Sequence, residues 1–187
     1  MERIKDIASI QTGLFARPYG TGEVAYIQLK HWDNNGRLLG EIYPELMASG
    51  ISKKHLLGKD DVLFAAKGTK NFAAVYENLN HAAVASTSFF VIRPTNTKIL
   101  SEYLAWFLNH PETQRLIKDK ARGTAMPSIR KSVLDELEIS IPTIEKQKLI
   151  IELSKLANKE TELRNQITYL KKQIIDQKIL NEINNST

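Results

Sequence analysis

The 187-residue sequence contains no cysteine. That absence excludes disulfides, thiolate zinc sites and a cysteine nucleophile. Histidine is scarce: His31, His55, His81 and His110 stand far apart with no metal-ligand spacing, so no metal site is expected. No apolar run approaches the roughly 18 residues that suggest a membrane span, and no charged-then-apolar signal segment follows Met1. The expectation is a cytoplasmic protein without membrane contact. Catalytic motifs are missing too: there is no nucleophile elbow, no Gly-rich dinucleotide loop and no Asn-Pro-Pro-Tyr-type methyltransferase motif. A binding module is favoured over an enzyme, with no catalytic residue to name.

A further absence organises the chain. Nine Gly and six Pro are present, yet none falls between Thr143 and Asn184. Alternating steps of four and three through that span give Leu149, Leu153, Leu156, Glu160, Leu163, Ile167, Leu170 and Ile174, then Gln177 and Asn181. This is the seam of a coiled coil, with a charge at Glu160 and an amide at each of its last two positions. The flanking positions are polar and of both signs, as on a helix that meets a partner along one stripe. A continuous helix here would run roughly 60 Å at about 1.5 Å per residue, longer than a domain of the preceding residues would cover. A helix folded back on its own domain is the alternative. Glu160 on the stripe costs stability but can fix register or direction.

Composition fits an ordinary globular chain, 42% hydrophobic and 25% charged, with enough material for one core plus the helix. The division expected is 1–142 and 143–187. Net charge is +5 and pI about 9.3, a modest excess whose placement matters more than its size. Arg115, Lys118, Lys120, Arg122, Arg130 and Lys131 stand against Glu112 and Asp119, and Lys53, Lys54, Lys59, Lys67 and Lys70 against Asp60 and Asp61. Two basic segments in the globular part suit a polyanion, although either alone is also ordinary solvated surface.

Along the chain, Ile4 to Gly13 reads as a turn of helix and a strand, and Leu14 to Gly22 as a loop. In that loop Arg17 and Tyr19 either touch a ligand or cover the core edge. Val24 to Lys30 reads as a strand running into the polar turn His31-Trp32-Asp33-Asn34-Asn35-Gly36, whose amides and aromatic suit base contact or plain turn chemistry. Leu38 to Ile42 reads as a short strand, and Ile51 to Leu57 as a short helix or turn. Asp61 to Tyr76 is the clearest hairpin, its turn exposing Lys67, Thr69, Lys70 and Asn71 without the Walker spacing that nucleotide hydrolysis needs. Ser88 to Ile92 is another strand. Leu100 to Asn109 and the segment opened by Pro111 have helical period, Ser128 is placed to cap a short helix ending at Leu137, and Glu138 to Ile141 is a last strand.

Several of these stretches carry a resemblance. Gly123-Thr124-Ala125-Met126-Pro127-Ser128-Ile129, then Ile139-Ser140-Ile141-Pro142-Thr143-Ile144-Glu145-Lys146-Gln147-Lys148-Leu149-Ile150, resemble the end of a target recognition domain in type I restriction-modification specificity subunits. That family follows a Gly-Thr-rich loop with an Ile-x-Ile-Pro strand and a Pro-x-x-Glu-x-Gln-x-x-Ile start of a spacer helix. The Ile7 to Gly13 opening, the Asp61 hairpin and the Glu102-Tyr103-Leu104 helix agree in order, so the resemblance covers nearly the whole chain. It implies an α+β target recognition domain followed by one long C-terminal helix. Full subunits resemble two such units in tandem with antiparallel helices. One unit here implies a half-length subunit that dimerises with itself through Leu149, Leu153, Leu156, Glu160, Leu163, Ile167, Leu170 and Ile174 as an antiparallel coiled coil. The resemblance further implies double-stranded DNA, methyltransferase subunits and a restriction subunit as partners, and no cofactor on this chain. Residues expected at DNA are Arg17, Lys30, His31, Trp32, Lys67, Thr69, Lys70, Asn71, Arg115, Lys118, Arg122 and Arg130. Gly123, Thr124 and Pro142 are expected to shape the backbone.

Overall fold

A computed structural model describes residues 1–33, 36–68, 71–77, 80–120 and 128–185. By internal contacts the chain divides into two compact units, Met1–Gln147 and Lys148–Thr187. The division falls five residues beyond Pro142 because the first turn of the last helix is bonded into the first unit through Gln147.

The first unit is mixed α and β. Its central sheet has four antiparallel strands: β2 (Ala8–Thr12), β8 (Phe89–Pro94), β5 (Val62–Ala65) and β6 (Ala73–Val75), in that spatial order. Every residue of β5 is buried, which is why it reads as an unbroken apolar run rather than an alternating one. A second sheet sets β3 (Val24–Ile27) between β4 (Pro44–Leu46), antiparallel, and β7 (Ala82–Ala85), parallel. A small pair joins β1 (Glu2–Arg3) to β9 (Glu138–Ile139). Ala25, Ile27, Leu63, Ala65, Phe72, Phe89 and Val91 belong to one core cluster, with Trp32 packed against it.

Among the described residues of this unit are four α-helices: α1 (Ile4–Ile7), α2 (Ser101–Asn109), α3 (Pro111–Lys120) and α4 (Lys131–Asp135). Tyr103, Leu104 and Leu108 are buried on α2 along the face its period defines, and Pro111 opens α3. The fifth helix, α5 (Ile144–Asn185), is 42 residues long.

The structure corrects several local expectations. The strand expected from Val24 to Lys30 ends at Ile27, and a 3-10 turn, Leu29–His31, carries Lys30. Leu38 to Ile42 is no strand: Leu38 makes a single bridge to Trp32, Gly40 turns the chain at φ 83°, and the strand comes later as β4. Strand β7 has no signal in Ala82-Ala83-Val84-Ala85, which lacks both alternation and bulk; burial between two neighbours makes it a strand. Ser128 does not cap α4; Arg130 occupies that position without a side-chain cap.

Candidate nucleic-acid interface

The β5 side of the β5–β6 hairpin ends beside a segment distant in sequence. Lys67 forms an antiparallel bridge with Ser128, and the Ile129 N–H donates to the Ala66 carbonyl at 2.9 Å. Gly68 turns the tip at φ 112°, a left-handed conformation that favours glycine. A Cβ placed there would stand 3.6 Å from the Leu29 side chain, so the 3-10 turn abuts the tip. Three stretches far apart in sequence therefore meet, and each presents an exposed cation: Lys30, Lys67 and Arg130. Chemically this is a short basic rim on backbone held by main-chain hydrogen bonds, suited to phosphate oxygens.

Other expected residues, half-buried, make contacts within the unit. Trp32 packs on Phe72 and Phe89 at ring-centroid distances of 5.8 and 6.3 Å, so its ring belongs to the core cluster. His31 Nδ1 accepts the Gln28 N–H at 3.2 Å, closing a capping box that shapes the turn. Burial, helped by the Lys30 charge and opposed by Glu45, holds this imidazole below the ordinary histidine range. Nδ1 is therefore the acceptor of a neutral ring, and Nε2 carries the proton. Asn71 Nδ2 donates to the Ala65 carbonyl at 2.8 Å across the hairpin, which is turn chemistry.

Arg17 is exposed on a well-anchored loop. Leu14 N–H donates to the Ala85 carbonyl, Tyr26 Oη donates to the Leu14 carbonyl, and Tyr19 N–H donates to the Glu45 carbonyl. Gly13 permits the approach, since a Cβ there would lie 2.1 Å from the Ser86 carbonyl oxygen. Phe15 and Tyr19, two residues to either side of Arg17, are 73% and 79% exposed; ligand contact is one of the two expectations for Tyr19, whereas the sequence singles out nothing at Phe15. Arg115 and Lys118 lie on the outer face of α3, opposite buried Thr113 and Ile117. The helix that carries them packs against α4, which begins directly after Arg130. Thr69, Lys70 and Arg122 lie outside the described residues, as do Gly123 and Thr124.

One basic cluster escaped the sequence entirely. Lys5 Nζ meets Glu136 Oε1 at 2.6 Å and Arg3 meets Oε2 at 3.3 Å. The Lys5 hydrogen bond foremost, opposed by desolvation and helped by the charges of Lys5, Arg3 and Lys120, holds the Glu136 carboxyl below its usual range. No sequence signal joins residues 131 positions apart. Among the described residues no group of His, Asp or Glu is arranged to hold a metal ion, and no helix is long and apolar enough to cross a membrane.

In the second unit, the Leu and Ile of the seam from Leu149 to Ile174 are 45% to 67% exposed. Glu160 lies among them and accepts from Arg164 Nε at 3.0 Å and Nη2 at 2.8 Å, one turn along. After Ile174 the apolar residues change sides. Ile175, Ile179 and Ile183 advance in steps of four along another face, also exposed.

Residues 1–174 match the family model described as "Type I restriction modification DNA specificity domain". Among solved structures, the chain is similar to one from work on complex assembly and conformational transition of the type I R-M system, with a TM-score of 0.61 at 16% identity over 84% of this chain. It is also similar to the HsdS subunit from Thermoanaerobacter tengcongensis, with a TM-score of 0.58 at 16% identity over 85% of this chain. A type I restriction-modification S subunit from M. genitalium gives a TM-score of 0.56 at 19% identity over 86%. The matched region is 37%, 37% and 39% of those chains, respectively, so this sequence spans well under half of their length. At such identities the likeness speaks for the fold. No curated protein sequence matches this one.

Proposed function

We propose, from the premise that this chain belongs to the type I restriction-modification DNA specificity family, that Met1–Gln147 reads one half of a bipartite DNA site. Two copies joined through α5 read the whole site. Double-stranded DNA, methyltransferase subunits and a restriction subunit are the partners, and the chemistry resides in those subunits. The observation that carries the DNA reading is the Lys67–Ser128 bridge. It brings the segment of Arg130 beside that of Lys67, and the Leu29 side chain against Gly68 adds the turn that carries Lys30, so exposed cations from three separated segments adjoin, as expected where backbone contacts position a protein on a duplex. Lys30, Lys67 and Arg130 are assigned to phosphate contact, with Arg115 and Lys118 on α3 as a second basic surface. His31, Trp32 and Asn71 act by shaping the turns. Arg17, with Phe15 and Tyr19 beside it, is assigned to a lateral contact with the duplex.

The exposed seam supports dimerisation, since a stripe of Leu and Ile left in water is self-complementary about a two-fold axis. Exposed Ile175, Ile179 and Ile183, lying off that stripe, support docking of a methyltransferase subunit on the outer side of the coil.

Methylome mapping of cells that carry this chain and its methyltransferase tests the reading. A symmetric, interrupted motif is expected, and it should be lost or relaxed on charge reversal at Lys67 and Arg130. Copurification with methyltransferase subunits without any site preference would mean a scaffold rather than a DNA reader.

A further inference from the structure

We infer that α5 pairs with a second copy in one antiparallel register, with the two-fold axis between Thr161 and Glu162. This inference rests on the dimer reading above and specifies how the helices meet. The seam has apolar positions in its middle, Lys146 just before it and Gln177 just after it. Antiparallel packing places one flank of the seam opposite the other. In the register proposed, Leu149 faces the partner's Ile174, Leu153 faces the partner's Leu170, and Leu156 faces the partner's Ile167. Lys146 then faces the partner's Gln177, so the polar flanks meet each other at both ends.

Neighbouring registers break this match. A shift of one heptad lengthening the overlap sets Gln177 on Leu153 and Asn181 on Leu149, amides against leucines. The opposite shift leaves Ile174 beyond Leu149 and sets Leu170 against Lys146. Only the intermediate register pairs the Leu and Ile with one another and excludes the amides, with Glu160 as the exception.

Glu160 itself argues for direction. In a parallel, in-register pair, Glu160 would face Glu160 in one buried layer, with like charges adjacent. Antiparallel pairing offsets the two carboxylates along the axis and sets each against the partner's Leu163. The Arg164 guanidinium already bound to Glu160 in its own chain supplies the counter-charge. That counter-charge is present in either orientation, so the preference comes from the separation of the two carboxylates along the axis.

The register has a metric consequence. Leu149 and Ile174 lie roughly 38 Å apart along a helix rising about 1.5 Å per residue. Facing pairs thus put the two Leu149 residues of the dimer that far apart along the coil, close to one turn of duplex, about 34–36 Å.

Cysteine trapping tests the register against a background free of native thiols. Full-length chains carrying Leu149→Cys and, separately tagged, Ile174→Cys are mixed and mildly oxidised. The expected product is the mixed disulfide, with neither variant crosslinking to itself. Self-crosslinking of Leu149→Cys would establish parallel helices and overturn the inference. A mixed disulfide between Leu156→Cys and Ile174→Cys at higher yield would establish the shifted register and overturn it as well. Sedimentation of the unmodified chain separates the two claims: a dimer that fails to trap refutes only the register, whereas a monomer refutes the dimer on which it rests.

Discussion

Gln147 is fully buried, and both polar atoms of its amide are hydrogen-bonded. Nε2 donates to the Lys98 carbonyl at 2.7 Å and the Pro142 carbonyl at 2.8 Å, while Oε1 accepts the Leu100 N–H at 2.9 Å. This explains the glutamine of the Pro-x-x-Glu-x-Gln pattern: it ties the first turn of α5 to the segment before α2. Gln147→Ala strands three backbone groups and is expected to cost roughly 3 kcal/mol, read as a lowered Tm. Asp61 and Arg93 form a comparable clamp. Arg93 Nε meets Asp61 at 3.0 Å and its terminal nitrogens donate to the Lys54 and Leu56 carbonyls. Removing either partner leaves a largely buried charge uncompensated, so Asp61→Ala should destabilise by about 3–5 kcal/mol in a urea titration. His31 supplies the pH dependence. Its depressed pKa means that the folded state binds fewer protons than the unfolded one, so its contribution is complete above the unfolded value of about 6.5 and is lost as pH falls through the folded one. An NMR titration should place the His31 midpoint below that of an unfolded histidine, and protonation should break the bond from the Gln28 N–H.

At the scale of elements, the hairpin and the long helix make separable predictions. Lys67→Ala with Arg130→Ala should weaken duplex binding about equally across sequences. The slope of log affinity against log salt should also fall by about 0.9 for each phosphate that is no longer neutralised, measured in shift assays over a salt series. Unchanged slopes would remove the hairpin rim from the DNA face. On α5, Leu163→Asp introduces a second charge per chain at the centre of the seam. It should shift the protein to monomer in sedimentation while leaving the Met1–Gln147 unit folded by NMR. Glu160→Leu removes the charge that disfavours parallel pairing, so orientation or oligomeric state should change; dimers of unaltered geometry would count against the role assigned to Glu160.

For the whole molecule, the prediction concerns spacing. Inserting one heptad at the Thr161–Glu162 junction lengthens the coil by about 10 Å, at roughly 1.5 Å per residue. The gap in the methylated motif should then grow by about three base pairs at 3.4 Å each, with the half-sites themselves unaltered. Methylome mapping reads this directly. An unchanged gap would show that something other than α5 sets the distance.

Period and punctuation are local properties, and they were legible in the chain. The absence of Gly and Pro after Pro142 determines a 42-residue helix, and the alternating steps of four and three give it an apolar stripe from Leu149 to Ile174. The apolar run before Lys67 determines a buried strand, and Pro111 the start of a helix. Tertiary structure decided what lies far apart in sequence. Strand β7 exists because β3 pairs with one edge and Leu56 and Leu57 meet the other; its four small residues carry no period of their own. Trp32 and Asn71 belong to the scaffold because Phe72, Phe89 and the Ala65 carbonyl fold onto them. Arg3, Lys5 and Lys120 gather around Glu136 for the same reason. A side chain's local pattern tells which element it joins, but whether its charge or ring faces solvent depends on which distant segment lies above it.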